Sequence, residues 1–151
     1  MPLCNLSDLK SALGRDQRLL GLDLGTKTIG LALSDVSRTI ATPYHTIRRT
    51  KFTKDAQELL AIVDKEGVGG LVVGLPVEMD GGEGPRCQST RAFIANLFKI
   101  RDLPVALWDE RLSTSAVTRI LLEADASRAR RAEVVDKMAA GYILQGALDA
   151  R

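Results

Sequence analysis

Leu19-Leu20-Gly21-Leu22-Asp23-Leu24-Gly25-Thr26-Lys27-Thr28-Ile29-Gly30-Leu31-Ala32-Leu33 is the stretch on which the fold turns. Leu20, Leu22 and Leu24 fall on one face and Leu19, Gly21 and Asp23 on the other, which is the period of a strand. Gly25-Thr26-Lys27 reads as a tight turn, and Ile29, Leu31 and Leu33 alternate again as a second strand. A third strand, from about Thr39 to Ile47, is rich in threonine and isoleucine. Three strands this close in sequence predict an antiparallel meander.

Beyond the meander the period changes. Phe52, Ala56, Leu59, Leu60 and Val63 follow helical spacing, with Thr53 as the expected N-cap and Gly67 as the stop. Leu71 to Leu75 is the continuous apolar run of a strand buried on both faces. Glu78 to Arg86 is a Gly-rich loop, expected to act as a mobile flap. A helix carrying Phe93, Leu97 and Phe98 follows, then a strand from Val105 to Trp108. Ser113 or Thr114 can cap a helix with Ala116, Val117, Ile120 and Leu121 as its apolar stripe. Arg128 to Arg131 precede a last helix that presents Val134, Val135, Met138 and Tyr142. Upstream, Leu6, Leu9 and Leu13 suggest a short helix stopped by Gly14. The pattern predicts one α/β domain over 18–151, preceded by an N-terminal extension over 1–17. Its sheet should have five strands, three antiparallel and then two reached through helices, with helices on both faces.

Composition removes several chemistries. With 45% hydrophobic and 26% charged residues, the 151-residue chain has the make-up of a folded domain rather than a disordered tail. No apolar run approaches the about 20 residues of a membrane helix, and residues 1–14 lack the apolar centre of a secretory signal. The expected address is therefore cytoplasmic, with no membrane partner. Cys4 and Cys87 form no C-x-x-C pair and His45 is the one histidine, so no Cys/His zinc site can be assembled, and a lone histidine argues against a His-based triad. Aromatic residues at 4% are too few for base-stacking recognition of single strands. A net charge of +2 permits a nucleic-acid partner without requiring one. Carboxylates, hydroxyls and a bound metal are what remain.

Three acids stand out. Asp23 lies within an apolar strand, where a carboxylate is costly to bury alone, although an Asp capping the following turn explains it equally well. Glu110 ends the Val105–Trp108 strand, where a surface pair with Arg111 is the simpler explanation. Asp136 falls at the edge of the last helix's apolar arc, where a first-turn acid favoured by the helix dipole is the competing account. Together, three acids far apart in sequence suit hard oxygen-seeking ions such as Mg²⁺ or Mn²⁺. Two such ions can promote in-line attack of water on a phosphodiester. Arg48, Arg49, Lys51 and Lys54 form a basic run that reads most simply as a solvated face. Arg128, Arg130 and Arg131 form another beside Asp136, with phosphate binding and solvation evenly balanced.

Leu22 to Gly30 resembles the first-strand motif of the YqgF (also called RuvX) family. Val73-Gly74-Leu75-Pro76 with Asp80-Gly81, then Asp109-Glu110-Arg111-Leu112-Ser113-Thr114, then Val135-Asp136-Lys137-Met138-Ala139-Ala140, resemble its later motifs in the same order. The likeness runs from about Leu19 to Ala147 and leaves residues 1 to about 17 outside. It implies an RNase H-like fold and a metal-dependent nuclease, with Asp23, Glu110 and Asp136 as catalytic acids and ligands of two Mg²⁺ or Mn²⁺ ions. Asp23 would bridge the ions, Glu110 would hold one and orient water, and Asp136 would complete the second, leaving a 5′-phosphate and a 3′-hydroxyl. Lys27, Arg86, Arg111, Arg128, Arg130 and Arg131 are the expected substrate contacts. The implied substrate is structured RNA, the 5′ end of precursor 16S rRNA, with branched DNA as a resolvase's alternative. Two other classes remain open: a non-catalytic RNA-binding assembly factor, and an ATP-binding protein, since Asp23 to Thr26 also resembles the first phosphate turn of actin and Hsp70. Nothing in the residues selects monomer or dimer.

Overall fold

The computed structural model describes residues 3–76, 84–109 and 128–150, with the side chains of 3 and of 128–136 outside that description. The expected meander is present as β2 (Arg18–Leu24), β3 (Thr28–Ser34) and β4 (Ala41–Arg48), after a short β1 (Leu3–Cys4) and α1 (Leu6–Ala12). Then come α2 (Phe52–Glu66), β5 (Val68–Leu75), α3 (Pro85–Phe98) and β6 (Val105–Asp109). A long helix, α4 (Arg128–Asp149), ends the chain. All five predicted strands form, and the N-terminal segment adds β1 as a sixth at the edge, in the order β1-β6-β5-β2-β3-β4. The β2–β3 and β3–β4 pairs are antiparallel, whereas β2–β5, β5–β6 and β1–β6 are parallel. No helix among the described residues is long and apolar enough to cross a membrane.

The alternation of β2 separates two cores. Leu20, Leu22 and Leu24 join Ile29, Leu31, Leu71, Val73 and Val105 under α2 and α3. Leu19, Ala32, Val72 and Ala106 pack on the other face against Ala140, Ile143, Leu144 and Ala147 of α4 and Leu9 of α1. On the second face Gly21 lets α4 come close to the sheet. A Cβ added at Gly21 would stand 2.7 Å from Leu144 Cβ and 3.0 Å from the Ala140 carbonyl oxygen. Gly70 gives α1 the same access, since a Cβ there would lie 2.5 Å from Leu9 Cδ1.

Several local expectations are corrected. β4 starts at Ala41 rather than Thr39, because Asp35 Oδ1 accepts from the amides of Thr39 (2.8 Å) and Ile40 (3.2 Å) and holds them in a turn. β5 begins at Val68, so it takes in Gly69 and Gly70 as well as the apolar run. Thr53 is not the cap of α2. The N-cap is Lys51, which makes no side-chain capping bond, and Asp55 instead accepts from the Thr50 amide at 3.1 Å. Gly67 does end α2, in the left-handed conformation at φ 66°. Arg128 to Arg131 lie inside α4 rather than ahead of it. The buried residues of α4 are Ala139, Ala140, Ile143, Leu144 and Ala147, whereas Met138 and Tyr142 are half-buried and Val134 and Val135 have side chains outside the described residues. Ile143 and Leu144 supply the large side chains of this face, with Ala139, Ala140 and Ala147 between them. The helix expected after Ser113 and the flap segment 77–83 lie outside the described residues.

These contacts set two expected outcomes. Gly21→Ala should destabilise the protein by about 1–3 kcal/mol through overpacking against α4, read as a lowered urea midpoint at unchanged slope. Leu9→Ala should cost about 2–5 kcal/mol in the same measurement, because Leu9 is completely buried in the second core.

Candidate active site

Asp23 occupies the next-to-last position of β2, a central strand of the sheet, and is 2% exposed. Alternation puts it on the face of Leu19 and Gly21, beneath α4. Across the β2–β3 ladder its partner is Gly30. On the other side, the Leu22–Val73–Leu107 row is followed by the paired Gly74 and Trp108. The carboxylate is therefore flanked on both neighbouring strands by residues without side chains, and the next side chains along its row are those of Trp108 on one side and Thr46 on the other. A buried acid in such a setting is expensive unless ion pairs, hydrogen bonds or a cation compensate it.

The turn after Asp23 is held from outside. Gly25 N–H donates to the Thr28 carbonyl at 2.8 Å, and the Arg49 amide donates to the Lys27 carbonyl at 2.9 Å. The Arg49 guanidinium donates through Nη1 to the Gly25 carbonyl at 2.6 Å and lies 5.7 Å from the centre of the Phe93 ring. Phe93 is in turn braced edge-on by Phe52, with ring centres 5.3 Å apart. Arg49 thus bridges β4 and α3 to the turn that follows Asp23. A cleft of about 560 Å³ opens beside it, lined by Gly25, Thr26, Arg49, Thr50, Arg86 and Ser89 among others. No acid among the described residues lines this cleft, and the N-terminus of α3 at Pro85 contributes to its wall.

The sequence-derived candidates are placed unequally. Lys27 is exposed in the turn, and Arg86 is exposed in the first turn of α3 rather than in the flap. Glu110 and Arg111 lie outside the described residues, one and two positions after β6. Asp136, Arg128, Arg130 and Arg131 belong to α4, with side chains outside the described residues. Position 136 is one helical turn before Ala140 and two before Ile143, both buried against the sheet. The residue that sequence reasoning missed is Arg49, set aside with its neighbours as a solvated face. Only the β3–β4 register, with Thr28 opposite Arg48, reveals it, and no local pattern in the sequence encodes that register. His45 is a strand residue at 3.2 Å from Glu58, as expected, and Cys4 and Cys87 form no disulfide.

A divalent cation fits what is described. Asp23 offers hard oxygen donors at the C-terminal edge of the strands, on a row where glycines leave the carboxylate uncrowded. Among the described residues no group of three acids, histidines or cysteines gathers around an ion. Completing a coordination shell would fall to residues outside that description.

A family model for RuvX, described as Holliday junction resolvase, matches residues 17–150. A relative from Paramagnetospirillum magneticum is 77% identical over 151 residues, covering 100% of this chain and 97% of its own length. Another, from Rhodospirillum rubrum, is 66% identical over 151 residues, covering 99% of this chain and 94% of its own. Both carry the provisional name pre-16S rRNA nuclease. Among solved structures, Thermus thermophilus RuvC in complex with a Holliday junction substrate superposes with a TM-score of 0.51 at 11% identity, over 85% of this chain and 91% of that one. At that identity the likeness is one of fold, the mixed sheet with flanking helices of the RNase H-like class. With a family match over residues 17–150 and relatives this similar along the whole chain, the protein belongs to the RuvX family.

Proposed function

We propose that this protein hydrolyses phosphodiester bonds of nucleic acid at the C-terminal edge of its central strands, and that its substrate is the 5′ leader of precursor 16S rRNA. The observation that carries the reading is Asp23, buried at 2% exposure on a glycine-flanked row of the sheet, in a RuvX-family chain. The names of the 77% and 66% identical relatives favour RNA over a DNA junction.

In this reading Asp23, Glu110 and Asp136 hold one or two Mg²⁺ or Mn²⁺ ions. Asp136 stands one helical turn before Ala140 in α4. When bound, the metal lowers the pKa of water and neutralises charge that develops on phosphate. Asp23 fixes the centre of the site, since neither strand nor turn lets its Cα shift. Arg49 keeps that turn in register through its bond to the Gly25 carbonyl. Lys27 and Arg86, exposed on either side, orient phosphates by charge, with Arg111, Arg128, Arg130 and Arg131 extending the contact. No histidine is needed as base, and the one present is engaged with Glu58.

Two measurements test this. Purified protein with Mg²⁺ or Mn²⁺ should cut a precursor-rRNA 5′ leader, leaving 5′-phosphate ends, and Asp23→Asn should not. Paired nicks in a four-way DNA junction with the leader intact would replace the RNA reading by the resolvase. ATP turnover with neither nucleic acid cut would overturn the nuclease. Tight RNA binding without cleavage would leave an assembly factor. Independently, a divalent ion at about a hundred times its dissociation constant should stabilise the wild type by about 2.7 kcal/mol and raise its melting temperature. Asp23→Asn should show no such rise, and equal shifts in both proteins would remove the metal site.

A further inference from the structure

The Arg49 cleft lies on the opposite face of the sheet from Asp23. Leu24 lines it, and strand alternation turns Leu24 away from Asp23, toward the core under α2 and α3. The turn at Gly25 and Thr26 is the ridge between the two, since both residues also line the cleft. Two residues of chain span at most about 7 Å, so the Gly25 backbone stands within that reach of Asp23.

Two cations meet in this cleft from separate elements. Arg49 reaches it from the end of β4, and Arg86 from the first turn of α3. The Arg49 guanidinium touches the Gly25 carbonyl at 2.6 Å and the Phe93 ring, and neither of these neutralises its charge. Its fork of five N–H donors exceeds what one carbonyl can take. No acid among the described residues lines the cleft. Asp55 and Glu58 line the neighbouring hollow instead, among Arg48, Lys54 and Lys137. Asp55 does approach the shared residue Thr50, accepting from its amide at 3.1 Å, but one carboxylate there is outnumbered by two guanidinium groups. The start of α3 has the same sign: Gly84 supplies no side-chain capping bond, and no acid occupies the first turn. An arginine in that turn opposes the helix dipole, and an incoming anion relieves the conflict. The hydroxyls of Thr26 and Ser89 add donors to the wall.

We infer that this cleft holds a backbone phosphate of the nucleic-acid substrate between Arg49 and Arg86, across the Gly25–Lys27 turn from Asp23. The inference rests on the nucleic-acid reading above and adds a second point of attachment to it, on the other face of the sheet from the reacting group. Two planar guanidinium groups suit the oxygens of a phosphate better than ammonium groups would. Because Arg49 also holds the Gly25 carbonyl, phosphate and turn share one side chain, and binding in the cleft braces the backbone that follows Asp23.

The test measures binding of a fluorescein-labelled RNA hairpin by anisotropy, without metal, from about 50 to 200 mM salt. Arg86→Gln should weaken binding and flatten the dependence of log affinity on log salt by about 0.7–0.9, the share of one neutralised phosphate. The Arg49→Gln/Arg86→Gln double variant should flatten it further, by up to about 1.4–1.8. Ser89→Glu puts an acid at an exposed position of the cleft wall. It should weaken binding more than Ser89→Ala, and it guards against misfolding of the double variant. Lys99→Gln removes the same charge at the far end of α3 and should keep the wild-type slope. Wild-type slope and affinity in the Arg86 and Ser89 variants, or an equal loss in Lys99→Gln, would overturn the cleft while leaving the nuclease reading intact. Absence of RNA binding by the wild type would overturn both.

Discussion

One carboxylate in the wrong kind of strand constrains the rest. Leucines occupy most of β2, yet the residue beneath α4 near its end is an aspartate, and a charge so placed must be compensated or it unfolds the strand around it. Gly30 and Gly74 clear the neighbouring strands, and Gly21, two residues earlier on the same face, lets α4 descend onto the sheet. The backbone after Asp23 is then fixed by hydrogen bonds to Thr28, Lys27 and Arg49. In a generic sheet each of these glycines would only weaken the strand, because glycine there packs nothing. They make sense as the means of holding an acid still.

Arg49 couples the two cores. Its guanidinium lies over Phe93, which belongs to the α2–α3 core, while its Nη1 reaches the turn next to an acid of the α4 face. Packing of one layer is in this way transmitted to the geometry of the other through a single side chain. The guanidinium suits this task because its planar fork can stack and donate at once, which an ammonium cannot do.

Much of this was legible in the sequence. Period-two alternation marked β2 and β3, helical spacing marked α2 with its stop at Gly67, and the apolar run marked the central part of β5. Asp23 could be singled out because a lone charge in an apolar strand is visible at once. The misses have a common cause. The role of Arg49 and the contact of Gly21 with α4 depend on how separate segments meet in space. Propensity and period are local, so they cannot report them. Leu3–Cys4 is the clearest case: two residues carry no period, and they become a strand only because β6 offers an open edge.

That edge strand has a consequence for the order in which the molecule is made. Leu3 and Cys4 pair with Val105 and Ala106, and the Lys10 ammonium is held by the carbonyl of Ala150 at 2.7 Å. During synthesis residues 3–12 therefore find their docking site complete only after α4 has followed. Contacts of such long sequence separation close slowly, since loop entropy is lost before they return anything. Leu9 must wait, uncovered, for Ile143 and Leu144, which share its core. A core shared by Leu9 and Leu144 thus ties the completion of this face to the last helix.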